Sequence, residues 1–240
     1  MPDKLLGLSE RRWLKLALTL HFQPGNYLHK SWYQSLPQGV LIQQLRELPT
    51  SAQHIDHHLR TLLTLKYGPL PYDFTQQRLR LALLDGQALA HLSLYLGLAL
   101  RSASLRHELL GERLRSLHQA LGAEAFIFAL KRAPFLGTIP SFPFEPELED
   151  PQTRFPMIGA RYCLAQVAEL NRGLAQRMML KLPQAWAAWI CPEEETDNTR
   201  PQALKKGDHA SAKHHKSPDL PPLVRKLIKE QLPEWIPLFA

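Results

Sequence analysis

Leucine accounts for 47 of the 240 residues, against 3 valines and 8 isoleucines. No other feature constrains the fold as much. Strands draw on β-branched side chains that pack on a pleated surface, whereas leucine and alanine keep their rotamer freedom in a helix. The 23 alanines point the same way. An interior proline removes a helical hydrogen bond and clashes with the preceding turn. The 20 prolines leave 72–133 and 157–182 free, and the long helices are expected there. The composition thus predicts an all-α fold.

With 45% hydrophobic and 21% charged residues, the chain is globular in character and wholesale disorder is excluded. Two cysteines exclude a disulfide scaffold and fit a reducing compartment. No apolar run reaches the roughly 18 residues of a membrane span. Lys15 splits Trp13-Leu14 from Leu16-Ala17-Leu18, leaving no uninterrupted signal core. A soluble, cytosolic-type protein is the expectation.

Spacing and turn chemistry divide the chain further. A first helix is expected over Ser9–His21, with Ser9 as N-cap and Trp13, Leu16 and Leu20 inward. Pro24-Gly25-Asn26 and Pro37-Gln38-Gly39 are turns, and a short helix over 39–47 stops before Pro49. Ile55, Leu59, Leu62 and Leu63 form the buried stripe of a helix over 51–66, closed by Gly68-Pro69.

Asp85-Gly86 caps the next helix. Leucines at 92, 94, 96, 98 and 100 alternate like a strand, but the intervening Ser93, Tyr95, Gly97 and Ala99 are no solvent face, and none is β-branched. A central buried helix is predicted, with a strand as the alternative. One amphipathic helix is expected over 103–121, with Leu110, Leu114, Leu117 and Leu121 inward, and another over 123–131, ended by Pro134. Residues 134–156 read as a proline-rich acidic loop anchored by Phe142, Phe144 and Phe155. A single helix then runs from Met157 to Leu182.

The expected division is a helical domain over 1–190, a disordered linker over 191–219 and a short amphipathic C-terminal segment over 220–240. The net charge of +7 resides in the first 190 residues, because the last 50 balance. The arginines are dispersed without interleaved aromatics, so a basic face toward an acidic protein is favoured over nucleic-acid binding.

Chemistry-bearing motifs are few. His54 and His58 lie one helical turn apart, as in a zinc site, but a third ligand and the glutamate of HExxH are lacking. They carry the rival reading, a metal-dependent helical enzyme. His209, His214 and His215 fall in the linker, and Cys163 and Cys191 lack CxxC spacing. No phosphate-binding loop, dinucleotide fingerprint or nucleophile elbow occurs. No catalytic residue, cofactor or metal is therefore assigned. Two features suggest binding instead. Asn171 interrupts an apolar stripe, either as a register-fixing seam residue or as an edge residue bonded to solvent. Trp235 and Phe239 must be buried either on the body, which is favoured, or on a partner.

The run Asp73-Phe74, Gln77-Arg78-Leu79-Arg80-Leu81-Ala82-Leu83-Leu84-Asp85 and Leu94-Tyr95-Leu96-Gly97-Leu98-Ala99 resembles the SctK family (YscK/PscK type) of bacterial type III secretion proteins. So do Leu105-Arg106, Leu121-Gly122 and Phe128-Ala129-Leu130-Lys131-Arg132-Ala133-Pro134, with Ser31-Trp32 and Leu36-Pro37 earlier. The resemblance covers roughly residues 13–182. It implies a non-enzymatic cytoplasmic adaptor of the sorting platform beneath the injectisome, at the cytoplasmic face of the inner membrane. Such an adaptor links the ring protein SctD to the pod protein SctQ, with SctL and the ATPase SctN reached indirectly. On that reading, Arg106, Arg113 and Arg115 form a docking patch for an acidic ring-protein surface, and Asn171, Trp235 and Phe239 are further partner-binding candidates.

Overall fold

A computed structural model describes residues 7–48, 50–108, 111–146, 148, 150–191 and 219–239, without the side chains of 7–12 and 106–114. Its helices are α1 (Gly7–Phe22), α2 (Pro24–Tyr27), α3 (Gly39–Arg46), α4 (Ala52–Tyr67), α5 (Gly86–Leu100) and α6 (Ser102–Glu108). They continue as α7 (Gly111–Leu121), α8 (Ala123–Ile127), α9 (Pro151–Ala168), α10 (Arg172–Met179), α11 (Ala187–Ile190) and α12 (Pro222–Gln231). Short 3-10 turns join several of them, and no strand occurs among the described residues. The chain is all-α.

The alternating leucines are a helix. Asp85 starts α5 by accepting a hydrogen bond from Ala88 N at 2.8 Å. Leu89, Leu92, Leu96 and Leu98 are fully buried, and Ser93 returns its hydroxyl to Leu89 O at 2.6 Å. A helix apolar on nearly every side must be enclosed. Helix α9 lies antiparallel along it, with Gly97 opposite Phe155 and Ser93 opposite Gly159. Helix α12 also packs on α5, and α10 packs on α9.

Several boundaries differ from expectation. Helix α1 is described from Gly7, so Ser9 lies within the helix and is not the cap. The expected single helix over 103–121 is described as α6 and α7, with Leu109 and Leu110 outside the described residues; Leu117 and Leu121 are half-buried. After α8 the chain widens into a π-helical turn, Phe128–Arg132, which turns Ala125, Phe128 and Ala129 inward and leaves Phe126 and Leu130 half-buried.

Helix α9 starts at Pro151, six residues before expectation. Asp150 caps it by accepting from Gln152 N at 3.1 Å, Pro151 fills the first-turn position that needs no N–H, and Pro156 is tolerated inside. The expected helix over 157–182 is two helices, broken after Ala168. Of the expected loop anchors, Phe155 is buried within α9. Phe142 meets Tyr162 edge-on at 5.3 Å between centroids, and Phe144 packs half-buried beside it. Glu145 fastens the acidic loop to Arg101 (2.6 Å) and Arg154 (2.5 Å). The expected linker lies outside the described residues, apart from Cys191 and Asp219 at its ends.

Candidate partner-binding surface

Helix α1 is apolar on two faces. Ala17 and Leu20 point into the core with half-buried Trp13 and Leu16, as the spacing predicts. Leu14, Leu18 and Phe22, four residues apart, stand outward at 48%, 47% and 45% exposure. This second stripe was missed in the sequence, although its i, i+4, i+8 spacing is visible there. At its C-terminal end the Arg60 guanidinium lies over the Phe22 ring, 5.4 Å from the centroid. Tyr72, 75% exposed, is held upright by stacking on His21 at 4.3 Å and 6°.

His21 Nε2 lies 2.9 Å from Pro71 O. A carbonyl only accepts, so Nε2 carries the proton. Burial, and to a smaller extent the Arg177 charge, lowers the His21 pKa against the opposing pull of that carbonyl. Arg177 itself is 2% exposed, on the inward face of α10 beside Leu174 and Met178. Its Nη2 donates to Thr64 Oγ1 at 3.2 Å, and its enclosed Nε has no acceptor. The Tyr27 hydroxyl is buried next to that guanidinium; burial raises its pKa against the opposing pull of the Arg177 charge. His21, Phe22, Arg60, Thr64, Tyr72 and Arg177 surround a pocket of about 210 Å³.

A second cleft, of about 650 Å³, separates α1 and α2 from the start of α5 and is lined mainly by Leu16, Leu20, Tyr27, Leu83 and Trp186. Lys181 at its edge is committed to structure: Nζ donates to Ala82 O and Leu84 O, both at 2.6 Å. Burial brings its pKa down to about 7, against the opposing effect of Asp85. The amino group thus ties the 3-10 turn Leu79–Leu83 to the segment that follows α10.

The residues singled out in the sequence lie on several elements. Arg106 lies on α6 and Arg113 on α7, their side chains outside the described set; Arg115 is exposed on α7. Asn171 does not sit within a continuous helical stripe but at the start of α10. Its Oδ1 accepts from Leu174 N at 2.8 Å, capping α10, the role for which asparagine is favoured at a helix start. Trp235 and Phe239 are 7% and 9% exposed, packed on the body. His54 and His58 are both exposed on α4, and among the described residues no three His, Cys, Asp or Glu side chains are grouped to hold a metal. Cys163 is fully buried, which pushes its thiol up to about 12.

The model of a protein family described as YOP proteins translocation protein K (YscK) matches residues 16–207, from the middle of α1 through α11 and beyond. Nothing among the curated proteins or the solved structures matches this chain. The family match covers most of the sequence and includes the motifs that carry the resemblance noted above. The chain therefore belongs to the YscK family, the SctK family of type III secretion proteins.

Proposed function

We propose that this chain is a non-enzymatic cytoplasmic adaptor of the type III secretion sorting platform, linking the inner-membrane ring protein SctD to the pod protein SctQ. SctL and the ATPase SctN are reached through SctQ. Family membership supports a role in secretion. The observation that carries the adaptor reading is the outward stripe of Leu14, Leu18 and Phe22, continued by Tyr72. A contiguous apolar patch of this kind on a folded surface marks a protein interaction site. No helix among the described residues is long and apolar enough to cross a membrane. The proposed peripheral position at the inner membrane therefore comes from contacts with the apparatus.

The test is co-purification of the chain with the SctD cytoplasmic domain and with SctQ, followed by titration. Both partners should bind the wild type. Leu18→Asp with Phe22→Asp should weaken one of them about tenfold or more while the helical circular-dichroism signal stays unchanged. Binding of neither partner overturns the adaptor reading. Binding of both, indifferent to the double substitution, removes the stripe from it.

A further inference from the structure

A buried charge normally travels with its counter-charge. Buried Arg78 and largely buried Arg101 obey that rule through Glu169 and Glu145, and the more exposed Arg154 and Arg132 pair with Glu145 and Glu230. Arg177, more deeply buried than any of them, does not. Among the described residues no carboxylate lies within ion-pair distance of it: its Nη2 donates to Thr64, its neighbour Tyr27 is a neutral phenol, and its Nε is orphaned. An enclosed guanidinium left this way is costly to fold around. The same side chain lines the 210 Å³ pocket, together with a second arginine, Arg60, which contacts His57 and Phe22 and forms no ion pair among the described residues.

The pocket's chemistry is specific. A planar guanidinium fork recognises a planar oxyanion through parallel hydrogen bonds, and Thr64 supplies a hydroxyl beside it. The rings of Phe22 and Tyr72 form apolar walls suited to the methylenes of an acidic side chain. Phe22 also belongs to the exposed stripe of α1, so a segment docked there has the pocket at its end. We propose that the Arg177 pocket receives the carboxylate of an Asp or Glu side chain from the protein that docks on α1. This rests on the adaptor reading and adds an acidic anchor to the partner's apolar contacts.

The pocket is testable without any partner. Full-length protein carrying ¹⁵N-labelled arginine is titrated with sodium acetate, and separately with sodium chloride at matched ionic strength, while the arginine Nε–H resonances are followed. One resonance, absent in Arg177→Met, should move saturably with acetate alone. Arg60→Gln should weaken that response several-fold. Should Arg177→Met not fold, Thr64→Val identifies the same resonance by displacing it. A resonance that stays still, or moves equally in chloride, overturns the pocket. Inorganic phosphate saturating at about tenfold lower concentration than acetate overturns the carboxylate assignment.

The second arm measures SctD and SctQ binding with Arg60→Gln. The partner that senses the α1 stripe should bind about tenfold more weakly. An acetate response without that loss reduces the pocket to a free-anion site. A silent pocket beside intact partner binding leaves the adaptor reading standing, so the two failures are distinguishable.

Discussion

Two glycines set the distance between the central helices. A Cβ at Gly159 would sit 1.9 Å from Ser93 O and 2.9 Å from Gly97 N, and one at Gly97 would sit 1.9 Å from Phe155 O. Both obstacles are backbone, which cannot swing aside as a side chain can, so α5 and α9 would have to separate along a closely packed seam. Gly122 offers a contrast: its φ of +79° is the left-handed conformation that glycine favours, and nothing lies within 4 Å of the position of its Cβ. Its cost on substitution is local backbone strain of about 1–2 kcal/mol. Gly159→Ala should cost about 1–3 kcal/mol or more through overpacking, with losses spreading into the surrounding core. Thermal unfolding should therefore rank Gly159→Ala below Gly122→Ala, and the reverse order would place the α5–α9 contact wrongly. Lys181 poses a related problem of fit, an enclosed amino group answered by two carbonyls.

Capping side chains start the helices around that seam: Asp85 for α5, Asp150 for α9 and Asn171 for α10. Asn171→Ala should destabilise the protein by about 1 kcal/mol, whereas Asn171→Asp should be nearly neutral. Urea denaturation is the check, with a lowered midpoint and unchanged slope expected for the alanine variant only. Unchanged stability of that variant would remove the cap. The same residue shows why part of the architecture was legible and part was not. Asp85-Gly86 and Gly68 are punctuation whose meaning is local, so the limits of α4 and α5 could be read directly. The break before α10 leaves almost no trace, because it is short: Glu169 still keeps helical dihedrals (φ −58°, ψ −29°), and Asn171 departs from them (φ −152°, ψ 105°). Val167, Leu174, Met178 and Leu182 therefore stay in phase and buried across the interruption. The surface was harder still. A helix with two apolar stripes does not say which one the fold will cover, so Trp13, Leu16 and Leu20 hid Leu14, Leu18 and Phe22. An arginine such as Arg177 is assigned to solvent until α1 and α4 are seen closing over it.

At the scale of the molecule, the C-terminal segment closes the structure. Leu223, Val224, Leu227 and Ile228 of α12 face inward, and the 3-10 turn Pro233–Leu238 returns to α1, bringing the two ends of the described chain together. Polar ties fix the register: Gln77 Nε2 donates to Phe239 O at 2.8 Å, Arg80 Nη1 to Leu238 O at 2.9 Å, and Lys226 Nζ to Leu136 O at 2.7 Å. Arg132 pairs with Glu230 at 2.8 Å. A helix of ten residues is marginal alone in water, so α12 owes its order to this docking. The docked segment also covers part of α5, a helix too apolar to face solvent. Leu227, fully buried, should on truncation to alanine cost about 2–5 kcal/mol. Deleting residues 219–240 should lower both the melting temperature and the solubility by uncovering apolar surface. Hydrogen exchange supplies the sharper measurement. The α12 amides should be protected in the free chain at the level of α5 and gain little when SctD or SctQ binds. Free-chain α12 amides that exchange as fast as an unstructured peptide, and slow only in the complex, would instead make residues 219–239 an arm that folds on its partner.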